Sequence, residues 1–160
     1  MSDGRLLDSF NQYFDDLQVG DRFESSRGRT LTEADITIFS GLSGDHHQLH
    51  TDEVYATTEG PFGGRIAQGT LTLALATGLE FGLLGSGESR IVAFYGLDRV
   101  RFLKPVFIGD TIRLRGEVVQ LEPKDGGRGV VTIHEEIVNQ DGATVAVLDK
   151  RLLHVCRPAG

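Results

Sequence analysis

Between Ser43 and Asp52 the chain reads Ser-Gly-Asp-His-His-Gln-Leu-His-Thr-Asp, which holds three of the five histidines and two carboxylates. A carboxylate and an imidazole aimed at one water suit general acid–base work, because their reference pKa values of about 3.9 and 6.5 straddle the useful range. Asp45 and His50 are the pair in question. On a helix they would point about 140° apart, so a turn has to bring them together. Ser43-Gly44-Asp45 has turn chemistry, since Gly tolerates positive φ and Asp bonds the backbone two residues on. Two other readings stand beside this one. Asp45 closes an ordinary turn and the histidines are partly exposed loop residues, or His46 and His50, at i, i+4 spacing, join Asp45 or His154 as metal ligands.

The elements around this stretch follow from hydrophobic period and punctuation. Residues 1–12 are polar and expected to be loosely ordered. Gly20-Asp21 turns into a strand over 22–30. Thr32, with Asp35 three residues on, approximates a capping box for a helix that Gly41 stops. Thr51 caps a short helix from Asp52 to Thr58, whose acidic start suits the helix dipole. From Gly69 to Gly82 leucines and alanines surround the whole helical circumference, so this helix is expected to be buried on all sides. At fourteen residues it is too short to cross a bilayer. Four alternating stretches follow, 91–103, 110–122, 128–139 and 143–155, separated by Gly109-Asp110, Lys124-Asp125-Gly126-Gly127 and Asp141-Gly142. Pro105 falls in the break between the first two.

One strand, then helices, then four strands around an apolar helix make a single α+β domain over 1–160, a five-stranded antiparallel sheet wrapped around a central buried helix. The hot-dog fold has this arrangement. Open sheet edges would pair, so a homodimer with a continuous sheet is expected. With 160 residues the domain buries roughly 70% of its unfolded surface and needs no disulfide. The single cysteine, Cys156, has no partner in the chain, which points to a reducing, cytoplasmic setting. A formal net charge of −7, with no lysine- or arginine-rich block, argues against a nucleic-acid partner. No apolar run reaches the ~20 residues of a membrane span, and the start of the sequence lacks the pattern of an export signal.

Ser43 to Asp52 also resembles the hydratase signature [ST]-G-D-x-N-P-x-H-x-D of the MaoC-like family, which includes (R)-specific enoyl-CoA hydratases. Three further segments keep the family order. Gly63-Gly64-Arg65-Ile66-Ala67-Gln68-Gly69 is similar to F-G-x-R-I-A-H-G, Phe102 to Asp110 is similar to F-x-x-P-V-x-x-G-D, and Tyr13 to Gly20 is similar to the lead-in. The likeness runs from about residue 13 to 155. His47, Gln48 and Gln68 stand where the family usually has Asn, Pro and often His.

The resemblance implies that Asp45 and His50 activate a water that adds to a trans-2-enoyl-CoA thioester, giving an (R)-3-hydroxyacyl-CoA without a cofactor or metal. It also implies that the backbone N–H of Gly69 polarises the thioester carbonyl. Negative charge grows on that oxygen as the enolate forms, and donors at a helix N-terminus stabilise it. Gln68, His47 and Thr77 are the further candidates for contact with substrate, Leu73, Ala76, Thr77 and Glu80 for lining an acyl pocket, and Arg65, Arg101 and Lys104 for the CoA phosphates. The competing readings are a hot-dog thioesterase that directs water at the carbonyl carbon, a silent acyl-binding hot-dog subunit, and the histidine-rich metal module.

Overall fold

The computed structural model describes residues 4–81, 83 and 88–158. Residues 1–3 and Gly82, the expected end of the apolar helix, lie outside them. Five strands form one antiparallel path, in the order β1 (Arg22–Glu24), β4 (Thr111–Lys124), β5 (Arg128–Val138), β6 (Thr144–Val155) and β3 (Ile91–Phe102). A sixth strand, β2 (Arg29–Thr30), pairs with β4 beside β1. The expected strand over 22–30 is thus two pieces. Ser25 interrupts it by accepting from the Leu114 N–H through Oγ while its own N–H donates to the Leu114 carbonyl.

Helices α1 (Glu33–Ser43), α2 (Gln48–Thr51), α3 (Glu53–Thr58) and α4 (Gly69–Phe81) come between β2 and β3. The capping box at Thr32 and Asp35 forms as the sequence predicts. Gly41 does not stop α1, which runs on to Ser43 and ends on Gly44 at φ 79°. Only glycine adopts that left-handed position without a steric cost. Helix α3 is capped by Asp52, which accepts from the Tyr55 N–H, and Thr51 instead belongs to α2.

Alternation in β4 turns Ile112, Leu114 and Val118 toward the core and Arg113 and Glu117 away from it. Leu71, Ala76 and Leu79 of α4 pack into the same core with Ile133, Ile137, Leu148 and Leu152. Burial of each such side chain contributes roughly 1.5–3 kcal/mol. Two expectations are corrected here. The single chain leaves a stripe of α4 exposed, Thr70, Ala74, Thr77 and Gly78, because the sheet covers only one side of the helix. Residues 5–10 are also packed: Leu7 donates its N–H to the Arg22 carbonyl, Arg5 pairs with Asp21, and Phe10 is fully buried with its ring 4.9 Å from that of Phe23.

Candidate active site

The end of α1 aims the first functional side chain. Past Gly44, the Asp45 N–H donates to Ser43 Oγ, and Asp45 Oδ1 accepts from the His47 N–H at 3.2 Å, the two-residue turn expected of Asp. His47 then caps α2, its Nδ1 accepting from the Leu49 N–H. One turn of α2 carries the chain to His50. Its Nδ1 lies 2.7 Å from the Ile66 carbonyl oxygen. A carbonyl only accepts, so Nδ1 holds the proton and Nε2 presents a lone pair. Nε2 is 3.9 Å from Asp45 Oδ2. That is too long for a direct hydrogen bond and short enough for both groups to reach one water. His50 is 12% exposed and Asp45 45% exposed, so the pair spans the boundary between protein and solvent.

The segment after α3 fixes the imidazole from below. Ile66 donates to the Leu49 carbonyl and pairs with Phe107, and Ala67 donates to the Val106 carbonyl. The Pro-Val-x-x-Gly-Asp stretch is therefore a frame. Asp110 Oδ2 holds the Phe107 N–H, and Gly109 donates to the Leu31 carbonyl. Gly69 opens α4, whose first amides have no acceptor within the helix. A Cβ at Gly69 would come within 2.7 Å of the Phe102 ring, so a side chain there would have to displace that ring.

His50 and Gly69 line one cavity of about 260 Å³, with Phe62, Ile66, Phe102 and Val106 among its mainly apolar walls and Lys104 beside them. An apolar hollow that ends on an imidazole and on free helix amides can hold an acyl thioester with its carbonyl at the amides and its neighbouring carbons near the Asp45–His50 water position. Phe62, Thr72 and Val145 also line it and were not singled out from the sequence. They come from separated segments and share no local pattern.

Other predicted residues lie elsewhere. Gln68 is 2% exposed and does not line the cavity. Its Nε2 donates to Ser40 Oγ at 2.9 Å and to the Asp45 carbonyl at 3.4 Å, which ties α1 and the Asp45 turn to the start of α4. Its Oε1 has no partner among the described residues. Thr77 lies two turns along α4 and donates to the Leu73 carbonyl, away from this cavity. Arg65 bonds Glu53 at 2.6 Å and Glu33 at 2.9 Å, which raises its pKa further and uses its charge to join α1 and α3. Arg101 is exposed on β3 beside Arg99, His134 and Asp149. Glu80 is buried against Lys150, neither in this cavity nor facing solvent. His154 is fully buried, its Nδ1–H donating to the Gln12 carbonyl, so it does not join His46 and His50 in a ligand set. Among the described residues no three His, Cys, Asp or Glu side chains converge as metal ligands. No described helix is long and apolar enough to cross a membrane.

The MaoC like domain matches residues 16–140 of this chain. The chain is 42% identical over 106 residues to protein MaoC of Klebsiella aerogenes, covering 66% of this chain and 30% of that protein's length. It is 34% identical over 138 residues to an (R)-specific enoyl-CoA hydratase of Rhodospirillum rubrum, covering 84% of this chain and 91% of the relative. Among solved structures, a monoamine oxidase regulatory protein from Archaeoglobus fulgius is similar at a TM-score of 0.84 and 39% identity, over 97% of this chain and 99% of that one. A Mycobacterium tuberculosis protein with a double hot-dog fold is similar at a TM-score of 0.77 and 25% identity, over 94% of this chain and 46% of that one. By fold and by sequence together, the chain is a hot-dog protein and belongs to the MaoC-like domain family of hydratases and dehydratases.

Proposed function

We propose that the protein is a hydratase acting reversibly on trans-2-enoyl-CoA thioesters to give (R)-3-hydroxyacyl-CoA. The observation that carries this reading is the 3.9 Å separation of Asp45 Oδ2 and His50 Nε2 beside an apolar cavity that begins at the first amides of α4. Asp45 and His50 hold one water between them. Its oxygen adds to the β-carbon, the displaced proton passes through the pair to the α-carbon, and the Gly69 N–H carries the enolate oxygen's charge in between. Gln68 and His47 set the turn that aims Asp45. Arg101 and Lys104 are the cations left for the CoA phosphates, since Arg65 is held by two glutamates. The named (R)-specific relative supports the stereochemistry. Two copies joined through their sheet edges form the working unit, in line with a double hot-dog relative of which this chain covers 46%.

The test is to incubate the protein with crotonyl-CoA and follow both the conjugated double bond and free thiol. Loss of the enoyl absorbance with (R)-3-hydroxybutyryl-CoA as product is expected. Thiol release with the double bond preserved would establish the thioesterase instead, and metal-dependent folding or activity the histidine module.

A further inference from the structure

Past the cavity at Gly69, the same side of α4 faces two more hollows. The first, about 100 Å³, is lined by Leu73, Ala76, Leu97 and Leu148, with Thr77, Glu135 and Lys150 as its polar members. The second, about 190 Å³, shares Thr77, Phe94 and Lys150 with the first and adds Glu80, Ile91, Leu152 and Ser89, whose hydroxyl donates to the Ile91 carbonyl. Their order is the same on three elements. Helix α4 supplies Gly69 and Thr72, then Leu73 and Ala76, then Glu80. Strand β6 supplies Val145, then Leu148, then Leu152, while β3, running the other way, supplies Phe102, then Leu97, then Ile91. Helix residues three and four apart share a face, so the three hollows lie in series along α4, the last two with shared walls, and joined end to end they make a groove that leads away from His50.

The far end of the groove differs from its walls. Glu80, Lys150 and Glu135 are 6%, 3% and 2% exposed. Lys150 Nζ donates to Glu80 Oε2 and lies 5.4 Å from the centre of the Phe94 ring. Oε1 of Glu80 and Oε1 of Glu135 have no hydrogen-bond partner among the described residues. Buried acceptors are rarely left unpaired, because nothing replaces the water they lose. Burial pushes the Glu135 carboxyl up to about 8, against the pull of Lys150. The end of the groove thus holds Glu80 paired with Lys150 and a Glu135 carboxyl that burial keeps protonated, with one oxygen of each carboxyl unpartnered among the described residues.

We propose that this groove holds the acyl chain and that Glu80, Glu135 and Lys150 recognise a hydroxyl at its ω-end, which makes ω-hydroxylated 2-enoyl thioesters the preferred substrate class. The inference rests on the hydratase reading and deepens it. A hydroxyl donates to one orphaned carboxyl oxygen and accepts from Lys150, so both partners are satisfied without adding charge. An ω-carboxylate would bury a further negative charge where Lys150 already serves Glu80, and a methyl end would leave the unpartnered oxygens bare. The helix rise places Thr77 about 12 Å and Glu80 about 16 Å from Gly69. Extended chain advances about 1.2 Å per bond, so about ten to thirteen bonds span the distance.

The experiment compares kcat/KM for trans-2-enoyl-CoA thioesters of about eight to fourteen carbons, the range that this length sets, each with a methyl, hydroxyl or carboxylate end. At one length near the middle of the range, the ω-hydroxy substrate is expected to exceed its methyl counterpart by at least about tenfold, with the ω-carboxylate below both. The combined change Glu80→Leu, Lys150→Met and Glu135→Leu removes the polar end as a unit, a replacement that buried ionic clusters often tolerate. It should bring the hydroxyl-to-methyl ratio to about one. If crotonyl-CoA is hydrated and the hydroxyl gives no advantage at any length, this inference falls alone. If no 2-enoyl thioester is hydrated, the hydratase reading falls and takes the inference with it. Should the triple variant not fold, the wild-type panel decides by itself.

Discussion

His50 depends on one hydrogen bond for its chemistry. The Ile66 carbonyl holds Nδ1–H and so points the basic Nε2 at the Asp45 side. Positioned acid–base groups contribute about 10² to 10⁴ in rate, so Asp45→Asn and His50→Ala should each lower kcat by at least about 10² while circular dichroism stays native. If both act on one water, as proposed, the double variant should lose far less than the product of the single losses. Losses that multiply cleanly would assign the two residues separate tasks. Glu135 gives a prediction of another kind. Its folded pKa of about 8 stands above the ordinary carboxylate value, so the folded chain keeps a proton that the unfolded chain releases as pH climbs from about 4.5. Stability linked to this group is present below that window, falls through it, and is flat above about 8. Burial of His154 pulls its pKa down, which works in the opposite sense below about pH 6.5. The useful quantity is therefore the difference between wild type and Glu135→Gln. The variant's advantage in melting temperature should grow between about pH 5 and pH 8, and a constant difference would count against the buried, protonated carboxyl.

The end of α1 is where helix geometry becomes site geometry. Gly44 at φ 79° reverses the chain so that Asp45 leaves the helix axis toward His50. A side chain in that left-handed position costs about 1–2 kcal/mol, so Gly44→Ala should lower the melting temperature and, by moving Asp45, lower kcat as well. Native kcat in a destabilised variant would separate the cap from the site. Much of this was legible in the sequence: the four long strands from period-two alternation, the start of α1 from Thr32 and Asp35, and the Asp45–His50 pair from its turn chemistry. The end of α1 was misplaced because Gly41 costs only about 1 kcal/mol inside an exposed helix, whereas Gly44 is the residue whose φ a cap needs. The N-terminal packing was hidden because Phe10 finds Phe23 and His154 far along the chain, and nothing near it in sequence marks that contact. Glu80 was legible as a member of the Gly69 face. Lys150, which gives it meaning, arrives from a strand seventy positions away.

Sheet order places β3 at an edge, bonded only to β6 among the described strands. Edge strands of soluble proteins are usually blunted by charge, proline or cover. This one instead exposes Val92, Phe94, Tyr95 and Leu97 at 46%, 56%, 52% and 38%. Ala74 and Thr77 of the uncovered stripe of α4 line the same hollow as Phe94 and Leu97. Apolar side chains, unpaired strand backbone and small helical residues thus occur together on one side of the single chain. A second copy paired edge to edge through β3 would satisfy the backbone, bury the apolar side chains and roof the groove along α4. The named double hot-dog relative matches this chain over only 46% of its own length, which leaves room in that chain for a second such unit. Light scattering at micromolar concentration should therefore give twice the 17.4 kDa chain mass. Val92→Lys together with Tyr95→Lys puts charge on the edge without touching Asp45, His50 or Gly69, and should shift the mass toward the monomer. A wild-type monomer mass would remove the dimer, whereas a dimer indifferent to both lysines would move the interface to another face of the molecule.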